Sequence, residues 1–354
     1  MPSKQIFYQE GMELGIKELL SLFSKEVHDP KKLFFHCLDL CGPLRAQIAL
    51  NQDCEDKLLF GSKRQADSHF LCTKLGLGDL ENGYEQCNRE TILSIQSQLP
   101  KFFKTSPKQE IKPSENPLFS LNKLSLGNKT VKSFFSYRLI SEKTIRQVMD
   151  ELTFFSHLYK EPEKNDAWLQ LRVSNQDIYN KIVLANVLFS IKKGLVSANS
   201  AFDPILQITT HFKDPSGRKY VLSNYFASVS IESKSSLANE KLMLHPIHFV
   251  HQAPFLIDET LQLAADLFAQ AFFWKKDLEL KHLIAHIGIM RYLLTHIAPF
   301  KRGSAAISDW IETALYRHHG FALFQSSRQT DLKAISSLRL DRFMENYQLQ
   351  WTSI

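Results

Sequence analysis

The sequence predicts a mainly α protein with a small antiparallel hairpin or sheet inserted near 205–231, an α+β arrangement if that insert forms a layer of its own. Three observations predict it. Apolar residues recur three and four apart through most of the long segments. Two β-rich runs flank a Pro-Ser-Gly turn in one region. No glycine-rich phosphate loop of the dinucleotide or Walker type occurs, which speaks against βαβ units.

Taken in order, Met12–Phe23 and Leu33–Leu50 carry the apolar stripe of an amphipathic helix, and Tyr84–Leu99 has a similar pattern. From Lys101 to Lys132 the composition changes: seven lysines stand against two glutamates, with three prolines, a fourth at Pro100 just before them, and many Ser and Asn. Such a stretch reads as an extended basic connector. It divides a helical region, 1–100, from a second region, 133–354. In the latter, Glu142–Leu158 and Asn175–Leu195 read as helices, with Gly194 where a helix-ending glycine is expected. Ile205–Phe212 and Tyr220–Phe226 then form the hairpin around Lys213–Arg218, with Val229 and Ile231 extending its second strand. Helical periodicity returns over Glu259–Tyr347, within a C-terminal bundle at 257–350, and is broken at Trp274–Asp277, Pro299–Gly303 and His319–Gly320. Those breaks predict three or four helices. Leu283, Ile284, Ile287, Met290, Leu294 and Ile297 share one stripe of the second helix and are core.

With 354 residues, 44% of them hydrophobic, 23% charged and 26 of them Phe, the chain can bury a large core. Leu283–Phe300 is the richest apolar stretch, but His286, Arg291 and His296 interrupt it, so it predicts a buried helix and not a membrane span. No export signal is visible at the start. Five cysteines, all in the first quarter, form an odd set unsuited to a disulfide framework, which points to the cytosol of the producing cell or of another. The net charge of +6 is concentrated in 101–132, where it would meet an anionic membrane by charge alone; no nucleic-acid recognition motif accompanies it, so a nucleic-acid partner is not expected.

Several residue groups are candidates for chemistry. Cys37 and Cys41 share a helix face, but no second close cysteine pair follows to complete a structural zinc set. His282 and His286 are spaced as zinc ligands often are, yet the glutamate of the HExxH pattern is missing, and no metal site is assigned. Cys72 with His248 or His251 and Gln252 would supply the parts of a cysteine hydrolase or transglutaminase. The turn His296–Trp310 is the most suggestive segment. There Arg302, Gly303 and Ser304 fall at a helix N-terminus, where free N–H groups and the helix dipole favour a phosphate or carboxylate. The alternative is structural: Ser304 caps the helix, Gly303 permits the turn and Arg302 pairs with Asp309 or Glu312.

At Pro299, Phe300 and Gly303 the turn resembles the His-Pro-Phe-x-Asp-Gly-Asn-Gly-Arg motif of Fic-type AMP-transferases. It departs from that motif at Arg302, Ser304, Ala305 and Ala306, and His296 is displaced from Pro299 by two residues. The run Pro-Phe-x-Arg-Gly-Ser-Ala, with the helix after it and Leu340–Tyr347, is also similar to a segment of large bacterial toxins and secreted effectors. Another group of bacterial effectors transfers AMP with a His-x-x-x-Glu pattern, and His157 and Glu161 have that spacing. The resemblance implies an effector-like protein acting on a host protein by AMP or nucleotidyl transfer, with ATP as cosubstrate. In that role Arg302, Gly303 and Ser304 hold phosphate, while His157 with Glu161, or His296, moves a proton. A non-catalytic helical protein-interaction module is the main alternative.

Overall fold

A computed structural model describes residues 4–25, 28–51, 57–65, 71–75, 94–95, 97, 110–111, 131–140, 205–214, 216–232, 241–321 and 330–348. The chain is mainly helical with an antiparallel sheet, as its sequence predicts. Its principal helices are α1 (Lys4–Phe23), α2 (Pro30–Asn51), α3 (Ile257–Phe272), α4 (Leu280–Ile297), α5 (Ser304–His318), α6 (Thr330–Ser336) and α7 (Leu340–Gln348). The three breaks expected within 259–347 all occur, and the stretch after Gly320 holds two short helices, giving five helices in the bundle among the described residues. The helices expected at 142–158 and 175–195 lie outside the described residues; of Tyr84–Leu99, residues 94–95 and 97 are described and are helical.

The strands are β1 (Cys72–Leu75), β2 (Glu110–Ile111), β3 (Lys132–Ile140), β4 (Ile205–Lys213), β5 (Lys219–Glu232) and β6 (Lys241–Val250). The hairpin β4–β5 is present, but it is the middle of a larger sheet of order β1-β6-β5-β4-β3-β2, antiparallel throughout. Asp214 shapes its turn: one carboxylate oxygen accepts from Ser216 Oγ at 2.6 Å and Arg218 N at 2.9 Å, and Gly217 takes φ 94°. Within the segment read as a connector, Glu110–Ile111 and Lys132 are paired strand residues.

Strand alternation gives the sheet two different faces. Phe135, Leu206, Ile208, Tyr225, Ala227, Ile247 and Phe249 cluster with Ile335 and Leu338 beside α6. On the other face Asn224 Oδ1 accepts from Gln207 Nε2 at 3.1 Å and Thr209 Oγ1 at 2.7 Å. A second, larger core joins α1 and α2 to α3, α4, α5 and α7, and includes Ile16, Phe34, Leu38, Phe268, Leu294, Trp310 and Tyr347. Helices on both sides of the 101–132 segment thus share one core.

Helix α4 lies at the centre of this arrangement. From Ile287 to Ile297 every residue is buried, so the single stripe read from the sequence understates its burial. A helix enclosed on all sides must satisfy its polar side chains internally. Arg291, fully buried, does so through ion pairs to Asp309 and Glu312 of α5, the latter at 2.9 Å. Tyr347 donates to Glu312, and Tyr316 contacts Tyr347 at 3.2 Å between hydroxyls. Burial lifts the Glu312 carboxyl above the ordinary range, and the Arg291 guanidinium opposes that rise.

Candidate functional site

The turn between α4 and α5 is held from below by residues 57–65. Helix α4 ends at Ala298, a left-handed residue with φ 42°, whose N–H bonds to Leu294 O at 3.0 Å. The buried Arg64 guanidinium donates to the carbonyls of Ile297 (2.6 Å), Ala298 (3.2 Å) and Gln252 (2.8 Å), placing a cation on the negative end of the helix. Backbone bonds then tie the turn down: Arg64 N to Pro299 O at 2.9 Å, Lys301 N to Ser62 O at 2.8 Å and Gly61 N to Arg302 O at 3.1 Å.

Gly61 makes that docking close. It sits at φ 71°, and a Cβ there would lie 1.9 Å from the backbone oxygen of Gly42 in α2. Gly61→Ala combines left-handed strain with a backbone clash, and is expected to lower stability by roughly 2–5 kcal/mol. Its urea midpoint should fall accordingly and the slope should not change.

Above this base, Gly303 is the N-cap of α5 at φ 88°, and no side chain caps the helix. Ser304, expected either as cap or as anion ligand, instead turns its hydroxyl back to Phe300: Oγ accepts from Phe300 N at 3.0 Å and donates to Phe300 O at 3.1 Å. That geometry commits the hydroxyl to the turn, so it is not the helix cap, and leaves the backbone N–H of Ser304 as the group it could offer an anion. Arg302 is exposed, with its guanidinium 5.7 Å from the centre of the Phe60 ring, and Arg45 lies over the same ring at 4.4 Å. Asp309 and Glu312, suggested as partners of Arg302, are held by Arg291. Arg291 reaches Asp309 and Glu312 of α5 from the buried interior of α4.

His296 does not join this surface. It is fully buried, with Nδ1 2.7 Å from Ser223 Oγ and its ring 4.3 Å from that of Tyr292. Thr210 Oγ1 lies 2.7 Å from the same Ser223 hydroxyl. Burial lowers the His296 pKa to about 3, leaving the ring neutral. An enclosed imidazole engaged on a strand hydroxyl is out of reach of a substrate bound at Arg302, so the structure gives it a positioning role between α4 and β5. His157 and Glu161 lie outside the described residues.

His251 and Gln252, considered as partners for Cys72, are engaged around the end of α4. His251 Nδ1 is 3.0 Å from Thr295 O; Gln252 Nε2 donates to Val221 O at 2.7 Å and Thr260 Oγ1 at 2.8 Å. Burial, reinforced by the nearby Arg64 charge, lowers the His251 pKa to about 3. Cys72 stands in β1 opposite Val250. Cys37 and Cys41 are buried on α2, and burial pushes the Cys41 thiol up to about 12, away from thiolate chemistry. Among the described residues no group of three or more His, Cys, Asp or Glu could hold a metal ion, and no helix is long and apolar enough to cross a membrane.

The sequence foresaw the turn and its glycine, but not the 57–65 segment that supports it. Its only advance signal was Phe60-Gly61, an aromatic beside a glycine, at a distance of some 240 residues along the chain. Two arginines sharing one ring are legible only in three dimensions. Comparison with known proteins finds no family model that matches this chain and no curated protein that matches it.

Proposed function

We propose that this chain is an effector-like interaction protein that engages a protein partner by holding an anionic group at the turn Arg302–Gly303–Ser304. The observation that carries this reading is the start of α5: the helix has no side-chain cap, and the exposed Arg302 stands beside it over Phe60. Backbone N–H groups at a helix start attract negative charge, and a guanidinium adds a planar pair of donors suited to carboxylate or phosphate. Leu58, 82% exposed, and Leu59, 38% exposed, immediately precede Phe60 and add apolar area of the kind a partner covers. The resemblance of the Pro299–Ala305 run to secreted bacterial effectors favours a host-cell protein, and hence work in a host cytosol. A further contact of the basic 101–132 segment with an anionic membrane belongs to the same proposal.

Nucleotidyl transfer from ATP is the second reading, because the same donors would suit a nucleotide phosphate. It needs a proton carrier other than the enclosed His296, and His157 with Glu161 is the pair to test. Arg302→Glu separates the readings when paired with a label. The variant should melt within about 0.5 kcal/mol of wild type, as exposed substitutions do, while losing cross-linked capture of its partner from host lysate. If wild type transfers label from α-phosphate-labelled ATP to a lysate protein and His157→Ala does not, transfer replaces simple binding as the function. Undiminished capture by Arg302→Glu removes the turn from the interface.

A further inference from the structure

We propose that His282 and His286, on the first two turns of α4, form a binding site for a divalent transition-metal ion of the zinc, nickel and copper class. The two residues are four apart on one continuous helix, so their Cβ atoms lie about 5–6 Å from each other on the same face. His286 is the anomaly that directs attention there. Both of its ring nitrogens are shielded from solvent and neither has a hydrogen-bond partner. His251 and His296, the other buried histidines of this region, each engage a carbonyl or a hydroxyl.

An imidazole that buries both nitrogens unbonded costs on the order of 1–3 kcal/mol, and an ion or a water molecule at the ring is the usual explanation of such a group. The second imidazole makes an ion the better explanation. Two imidazoles one helical turn apart on the same face offer nitrogen lone pairs, which suits a borderline transition metal and not magnesium or calcium. His286 is in the ligating form at neutral pH: burial first, and His282 second, lower its pKa to about 4. His282 is partly exposed, so the pair opens to solvent on its side.

With no third side-chain ligand among the described residues, water fills the remaining positions. Such a site exchanges its ion, unlike a closed four-ligand structural centre. No glutamate follows His282 to act as a base, so the site is assigned to binding and not to hydrolysis.

The test uses the full chain, free of any affinity tag and stripped of metal by chelation, dialysed to equilibrium against Zn2+ with Mg2+ as the control. Wild type should retain one Zn2+ per chain and melt at a higher temperature when Zn2+ is present. His282→Ala removes one ligand at a partly exposed position without opening the core. It should weaken retention at least about tenfold and abolish the melting shift, since loss of an outer-shell partner alone costs about 10–100-fold in metal affinity. Equal Zn2+ retention and equal melting shifts in wild type and His282→Ala, or no retention by wild type, would overturn the proposal.

Discussion

Arg291→Ala is expected to lower the stability of the chain by about 3–5 kcal/mol, the cost of leaving buried carboxylates without their counter-charge. Arg291 is fully buried between Asp309, Glu312 and the carbonyl of Ala305, at 3.3 Å from its Nη1, and Glu312 is itself buried. Neither carboxylate has another cation to turn to within those contacts. The expectation is specific to the pair and not to the loss of a large side chain. Arg291→Met combined with Glu312→Gln and Asp309→Asn, which keeps volume and removes the stranded charge, should recover most of the loss. Urea denaturation of the single and triple variants measures both. A triple variant no more stable than Arg291→Ala would assign the loss to packing instead.

Acid should destabilise the protein through its buried histidines. His251 and His296 are buried and both have pKa values lowered to about 3, against about 6.5 in an unfolded chain. Between those limits the unfolded state binds more protons than the native one. The stability contributed by the neutral rings is therefore complete above pH ~6.5 and is lost as pH falls towards ~3. Two such groups give a slope of about 2.7 kcal/mol per pH unit in that window, a loss of at most about 7 kcal/mol by pH ~4, which exhausts only the lower part of a typical stability of 5–15 kcal/mol. Melting temperatures recorded from pH 8 to pH 4 would show the fall. His296→Gln retains an acceptor for Ser223 but cannot take up a proton, and should lower the slope by about 1.4 kcal/mol per pH unit. A flat profile above pH 5 would place the acid sensitivity in the carboxylates.

The parts of this fold legible in the sequence are those set by local pattern. The stripe Leu283–Ile297 announces α4, and the Pro-Ser-Gly turn around Asp214 announces β4 and β5. Gly303 announces a left-handed turn, because a Pro-Phe run before it and Ala-Ala after it leave few other places for the chain to reverse. What escaped reading depends on partners far away in the chain. Arg291 and Arg302 look alike in sequence, eleven positions apart, yet one is enclosed by α5 and the other stands in the open. It is Arg291 that meets Asp309, from the buried helix α4, and spacing alone does not tell the two apart. Likewise His296 reads as a proton carrier until Ser223, on a strand 73 residues earlier, closes over it. The edges of the sheet were missed because β1 and β2 are too short, at four and two residues, to show alternation.

The shared core of the first and last helices also governs when the chain can fold. Glu13 of α1 meets Arg317 of α5 across 304 positions, at 2.7 and 2.8 Å, and Phe23 packs edge-on against Phe268 and Phe272 of α3. During synthesis the apolar sides of α1 and α2 must wait for these partners, which at ~5–20 residues per second is roughly 15–60 s. Contacts so distant in sequence also slow the closing step itself. Newly made chains thus expose two uncovered helices for most of their synthesis, and a ribosome-bound chain halted before Ile257 is the form in which chaperone association should be greatest.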